Sequence, residues 1–307
     1  MTTTTEHDLP VHTETKRRLS SIGLLTLTCI ILLMSAMWRV VDVFVLQLGN
    51  TWMNILPSKL GPLTVILTVV WVYRRNEIES VLGLSKKHLR PLVLSGLLVG
   101  FSVFFLVIVG STVAYGLFVN PEYSLSLSVV YPSLLLYSFF FFFVNAVFEE
   151  TLFRGMLQNS LRQKMAVRRA ILLSAIVFGF WHACWPMANG APPTEWVSMI
   201  LLSGLLGAMF GVYYERFSLR TSLVGNIVAH TLINFLNEGF KVGSEGSVQG
   251  PDFSFNDPVL MGMMAMAFIV VFSFYLVLFS KRTVVDMERA LLQLRATLVR
   301  ESQSQRA

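Results

Sequence analysis

The chain has 307 residues, of which 54% are hydrophobic and 14% charged, and its formal net charge is +6. A soluble domain carries roughly 25% charged residues, so the composition excludes a large soluble core and specifies a polytopic membrane protein. The basic residues cluster between apolar segments, as cytoplasmic loops require, so the positive balance does not indicate a nucleic-acid partner.

Residues 1–19 are polar and run into Lys16-Arg17-Arg18, which reads as a disordered cytoplasmic tail. The first apolar segment, about Ile22 to Leu46, is longer than the roughly 7–15 residues of a signal-peptide core and is read as a retained helix. Within it Arg39 and Asp42 stand at i,i+3, a spacing that predicts a local salt bridge. Cys29 and Cys184 both fall in apolar segments and are expected to act as small buried hydrophobes. Segment two covers about Trp52 to Tyr73, entered irregularly through Pro57 and Pro62. A basic loop from Arg74 to Arg90 precedes segment three, about Pro91 to Val119.

Segment four starts near Tyr131-Pro132 and passes through a phenylalanine run into Glu149-Glu150. Segment five is about Arg169 to Trp185. Segment six, about Trp196 to Tyr214, carries Gly204, Gly207 and Gly211 at a spacing that permits close helix contact. Segment seven is about Thr221 to Leu236. A glycine-rich polar loop, Gly239 to Asp257, leads to segment eight, about Pro258 to Ser280. Residues 281–307 read as an amphipathic helix, with Met287, Leu291, Leu294 and Leu298 on one face. With both termini cytoplasmic, all but Arg39, Lys59 and Lys241 of the 24 Lys and Arg fall on the cytoplasmic side. That asymmetry supports about eight transmembrane helices. The expected fold is therefore all-α, a membrane bundle over 20–280.

The functional signal lies at Phe148-Glu149-Glu150-Thr151-Leu152-Phe153-Arg154. Insertion scales put one charged residue at the bilayer centre at roughly +2.5 to +3.5 kcal/mol, so three ionisable groups within six residues need partners or a water-filled cavity. Glu150 and Arg154 are i,i+4 in the favourable order, which supplies Glu150 with a partner. Glu149 points about 100° away on the same turn and has none, which suits a general base. Of the five histidines, only His182 and His230 lie within apolar helices. His230 and Asn234 share a helix face, as do Phe178 and His182. If segment four continues as one helix past Arg154, Glu150, His182 and His230 lie about 21, 20 and 15 Å from their cytoplasmic basic anchors, so they can meet within the membrane.

A metal-free reading makes Glu149 the base on a water that His182 helps to hold, with His230 and Asn234 receiving the oxyanion. Glu149, His182 and His230 would also make a three-ligand zinc set, but no His-Glu-x-x-His spacing demands one. The residues favour the metal-free reading and leave zinc open.

Glu149-Glu150-x-x-x-Arg154, Phe178-x-x-x-His182 and His230-x-x-x-Asn234, in that order and each on an expected membrane helix, resemble the CPBP family of type II CAAX prenyl endopeptidase-like intramembrane proteases, also called the Abi family. The resemblance covers about Tyr131 to Asn237. It implies an eight-helix fold with a membrane-embedded cavity and peptide-bond hydrolysis by water. By position, it implies that Glu149 activates the water, with Glu150 as its accessory neighbour. Arg154 would orient the glutamates, His182 would bind the water, and His230 with Asn234 would stabilise the tetrahedral intermediate. The expected partners are membrane lipids and a peptide or lipidated protein substrate, prenylated CAAX proteins included. The expected location is the plasma membrane. Two other readings use the same residues: a non-catalytic immunity or scaffold protein on this fold, and a proton-coupled transporter. The second is disfavoured because no repeated half with broken helices is visible.

Overall fold

The structure is a computed structural model that describes residues 23–47, 56–75, 78–83, 85–123, 125–243 and 257–304. The tail expected over 1–19, with Lys16, Arg17 and Arg18, and most of the glycine-rich loop before Asp257 lie outside the described residues. The helices in chain order are α1 (Leu24–Leu46), α2 (Gly61–Arg74, entered through a π-helical turn at Leu56–Leu60), α3 (Leu89–Phe118), α4 (Pro132–Arg162), α5 (Val167–Ala188), α6 (Pro193–Phe217), α7 (Val224–Gly239), α8 (Pro258–Lys281) and α9 (Val284–Ser304). Among the described residues six of these, α1, α3, α4, α5, α6 and α8, are long and apolar enough to cross a membrane. Their outward faces carry large exposed apolar side chains, such as Leu33, Phe105, Leu106, Phe180, Val270 and Phe274. Water would penalise such a surface and lipid does not. The chain is an integral, multi-pass helical membrane protein.

The shorter α7 runs between two tied ends. At one end α4 and α6 are tied by Arg162 to Glu215 (2.5 Å), and the start of α7 is tied to the loop after α2 by Leu223 N–H to the Gly83 carbonyl (2.8 Å). At the other end, β1 (Ser126–Val129), just before α4, pairs antiparallel with β2 (Phe240–Gly243), just after α7, in the register Ser126↔Gly243 to Val129↔Phe240. The strand at Phe240–Gly243 replaces the loop expected there. Its partner Ser-Leu-Ser-Val alternates polar and apolar residues, the period-2 pattern of a half-buried strand. The ribbon fixes the beginning of α4 against the end of α7.

Two large buried apolar clusters make most of the core, beside a small third one at Ala146, Tyr214, Leu223 and Ile227. One joins α1, α2, α4 and α5 through Leu24, Ile66, Phe148, Leu152, Phe153 and Phe178. The other joins α3, α6 and α8 through Val99, Phe210, Tyr213, Phe268 and Tyr275. Close approaches are made at glycines, as the spacing in segment six predicts. A Cβ on Gly207 would sit 3.3 Å from Ala175 Cα, and one on Gly211 would sit 2.8 Å from Gln158 Oε1. α3 and α7 touch at Gly96 and Gly225, where a Cβ on Gly96 would lie 2.5 Å from the Gly225 carbonyl oxygen.

Two further expectations are corrected. Arg39 does not pair with Asp42. Its guanidinium lies over the rings of Trp181 and Trp185, 5.4 Å from each centroid, while Asp42 accepts from Ser58 Oγ at 2.6 Å. Cys29 is exposed on the outer face of α1 rather than buried, and Cys184 is half-buried.

α8 begins at Asp257, whose carboxylate accepts from Val259 N–H (2.8 Å) and Leu260 N–H (3.2 Å). The Tyr115 hydroxyl, followed by the backbone donors, holds this carboxyl below its ordinary value of 3.8. A folded value below the unfolded one means that the cap contributes in full above pH 3.8 and is lost as pH falls through the lowered value.

Gly225→Ala is expected to destabilise the protein by about 1–3 kcal/mol or more through overpacking, because the new Cβ would lie 1.8 Å from the Tyr213 hydroxyl. Gly262→Ala, inside α8 with nothing within 4 Å of the added carbon, is expected to hold stability or raise it by up to about 1 kcal/mol, since Ala is the better helix former. Denaturant unfolding of the two variants in detergent checks the contrast.

Candidate active site

α4 runs unbroken through Glu149, Glu150 and Arg154 to Arg162, which is the continuity that the depth argument requires. Immediately after Glu150 the helix widens into a π-helical stretch, Thr151–Gln158, a deviation common at functional positions. The two glutamates have different surroundings although they are neighbours.

Glu150 is wholly buried and fully engaged. Its Oε1 accepts from Arg154 Nη1 at 3.1 Å and from His230 Nδ1 at 2.8 Å, and its Oε2 accepts from Asn226 Nδ2 at 3.3 Å. Arg154 is 1% exposed. Its Nη2 donates to the Gly207 carbonyl of α6 at 3.1 Å, and its guanidinium stacks between the rings of Phe178 (4.2 Å) and Phe210 (5.3 Å). One turn on, Gln158 Nε2 donates to the Gly211 carbonyl at 3.1 Å. Gly207 and Gly211 have no side chain to hold these groups off the α6 backbone. A buried ion pair is sustained by such additional hydrogen bonds, because Coulomb attraction alone does not offset desolvation.

Glu149 is 1% exposed and only half engaged. Its Oε1 accepts from the Trp181 indole Nε1 at 3.1 Å. Its Oε2 has no hydrogen-bond partner and faces His182 Nε2 and His230 Nε2, each at 3.6 Å. The other nitrogen of each ring fixes the tautomer. His182 Nδ1 lies 2.8 Å from the Phe178 carbonyl, which can only accept, so Nδ1 carries the proton. His230 Nδ1 lies 2.8 Å from Glu150 Oε1 and donates in the same way. Both Nε2 atoms therefore present lone pairs to Glu149 Oε2. Three acceptors converge on one point, an arrangement complementary to a donor such as water.

The structure brings Glu149, Glu150, Arg154, His182 and His230 together. Asn234 stands one turn beyond His230 on the same face of α7, half-buried, and its amide makes no hydrogen bond to another described residue. Among the described residues no group of three His, Cys, Asp or Glu side chains has the arrangement to hold a metal ion. Glu149, His182 and His230, the zinc set that the sequence left open, do not form such a group.

Sequence reasoning missed two contributors. Trp181 precedes His182 and reads as apolar filler, although its N–H needs a partner when buried. Asn226 stands four residues before His230, so the three residues Asn226, His230 and Asn234 line one face of α7. That repeat was available in the sequence.

Residues 131–236 match the family model described as Type II CAAX prenyl endopeptidase Rce1-like. The match begins at the turn into α4 and ends within α7, so it spans the helices that carry the cluster. Over that segment the chain is similar to the type II CAAX prenyl endopeptidases. No curated protein matches the chain.

Arg154→Ala is expected to cost about 3–5 kcal/mol, the penalty for stranding a buried carboxylate. Arg154→Lys recovers little of it, because an ammonium cannot reach Glu150 and Gly207 together while stacking on two rings. Unfolding curves of the purified variants measure both. Trp181→Phe keeps the packing and removes the donor to Glu149, so unfolding temperature should hold while any Glu149-dependent activity falls.

Proposed function

We infer that the cluster is the catalytic centre of an intramembrane endopeptidase. It hydrolyses a peptide bond of a membrane-associated protein or peptide, prenylated CAAX-type substrates included. The observation that carries this reading is the unpartnered Oε2 of Glu149 facing two imidazole lone pairs at 3.6 Å. A water in that place donates one O–H to Glu149 and the other to His182 Nε2. Its oxygen lone pair is left for the substrate carbonyl carbon. As the C–O bond forms, Glu149 takes the proton as general base, a role worth about 10²–10⁴ in rate. It then delivers that proton to the leaving nitrogen as the C–N bond breaks, and the products are a new carboxyl terminus and a new amine.

The oxyanion formed on the carbonyl oxygen needs donors. Asn234, with its amide uncommitted, supplies one. His230 supplies a second after taking up a solvent proton on Nε2 before substrate binds, while its Nδ1 still donates to Glu150. Glu150 and Arg154 act by holding His230 and the helices in place. The match to a proteolytic family over the same four helices supports the assignment of chemistry. Membrane lipids surround the protein and deliver the substrate laterally, and a basic cytoplasmic face suits the plasma membrane.

The test uses purified protein in detergent with a fluorogenic farnesylated CAAX peptide and its unprenylated twin. Wild type should cleave at least one of them, and Glu149→Ala should lower kcat/KM by about 10²–10⁴ without loss of folding. Asn234→Ala should lower kcat by about 10²–10³, the effect of one oxyanion donor. Undiminished cleavage by Glu149→Ala contradicts the assignment.

A further inference from the structure

The family match leaves out α1, yet this helix brings a cation to within one side chain of the candidate base. Arg39 is 4% exposed, and among the described residues no carboxylate lies at ion-pairing distance from it. Its guanidinium lies over the indoles of Trp181 and Trp185, and its Nε has no hydrogen-bond partner. Buried charges are ordinarily paired, and a charged side chain in a membrane helix is costly to keep. A cation that rests on two rings instead of a carboxylate calls for a role that an apolar side chain cannot fill.

Trp181 is the link. Its Nε1 donates to Glu149 Oε1 at 3.1 Å. Phe148 and Phe153 of α4 pack on its ring, at centroid distances of 6.0 and 5.6 Å. These rings hold the indole from α4, and Arg39 holds it from α1. An indole has a single N–H, in the plane of the ring, so a tilt of the ring swings the donor away from Glu149. A cation over the face also draws electron density from the ring, which strengthens the N–H as a donor, and the attraction grows when both groups are desolvated. The Arg39 charge reaches Glu149 itself as well. With Oε1 anchored in this way, the unpartnered Oε2 is aimed at His182 Nε2 and His230 Nε2.

We propose that Arg39 is a positioning residue for the hydrolysis: it acts through Trp181, fixing the indole plane and strengthening its N–H, and so holds the Glu149 carboxylate in its working orientation. The proposal rests on the endopeptidase reading and deepens it. It gives α1, outside the family segment, a part in aiming the base. A merely structural Arg39 would tie α1 to α5 through Trp185 as much as through Trp181, and its loss would lower stability without singling out Trp181. The two roles therefore differ in what depends on Trp181.

The test is a double-mutant cycle on the full chain in detergent, with the farnesylated peptide and its unprenylated twin as substrates. Arg39→Gln is expected to lower kcat about tenfold and to move KM by less than about twofold, as a misaimed base does. In the Trp181→Phe background, which has no indole N–H, Arg39→Gln should lower kcat no further. Arg39→Lys, which keeps a cation for the ring, should restore part of kcat, and it serves in the same cycle where Arg39→Gln does not fold. Losses that multiply in full in the double variant, or a loss confined to KM, overturn the positioning role and leave the protease reading intact. If wild type cleaves neither peptide, the protease reading falls, and fluorine NMR of protein labelled with fluorotryptophan decides the positioning role. The Trp181 resonance, assigned by its loss in Trp181→Phe, should shift on Glu149→Gln and lose most of that response when Arg39→Gln is added. An equal response in both backgrounds overturns it.

Discussion

The fold depends on one buried ion pair. Glu150 and Arg154, one turn apart on α4, are withdrawn from water and made tolerable by every bond they reach: His230 and Asn226 on α7, the Gly207 carbonyl on α6, and the rings of Phe178 and Phe210. Two helices, α6 and α7, are thereby fixed relative to α4 by hydrogen bonds, and α5 by a cation–π contact. In a bilayer, hydrophobic burial gives little preference for one helix over another. The glycines of α6 follow from the same need, because a side chain at Gly207 or Gly211 would hold α6 away from α4 and α5. Asp257, Tyr115 and the β ribbon trim the ends, but the register of the bundle is set at this pair.

The pair also explains how adjacent carboxylates come to do different things. Glu150 uses both oxygens structurally. It holds the proton of His230 on Nδ1, as the Phe178 carbonyl does for His182. Nothing equivalent reaches Glu149 Oε2, which is left among acceptors. The reactive atom is thus defined by what its neighbours already hold, and Trp181 fixes it by occupying the opposite oxygen.

Much of this was legible in the sequence because the relevant physics is local. Apolar runs and basic loops locate the helices, and i,i+4 spacing pairs Glu150 with Arg154 and aligns His230 with Asn234. What escaped depends on contacts between helices. The i,i+3 spacing of Arg39 and Asp42 predicts a salt bridge, but the indoles of α5 and the hydroxyl of Ser58 take the two groups apart. Trp181 and Asn226 read as ordinary helix residues until the neighbouring helix shows what they donate to. The two short helices, α2 and α7, are visible as segments. What ties the two ends of α7, the Gly83 carbonyl and the ribbon, comes from distant parts of the chain.

The division of labour between the two glutamates is most directly tested by measuring cleavage and unfolding temperature together in Glu149→Gln and Glu150→Gln. The account predicts that Glu149→Gln loses cleavage at a near-native unfolding temperature, because the amide oxygen can still accept from Trp181. It predicts that Glu150→Gln unfolds at a distinctly lower temperature, because the charge that balances Arg154 is gone. Cleavage that survives in Glu149→Gln, or a Glu150→Gln protein as stable as wild type, would contradict it.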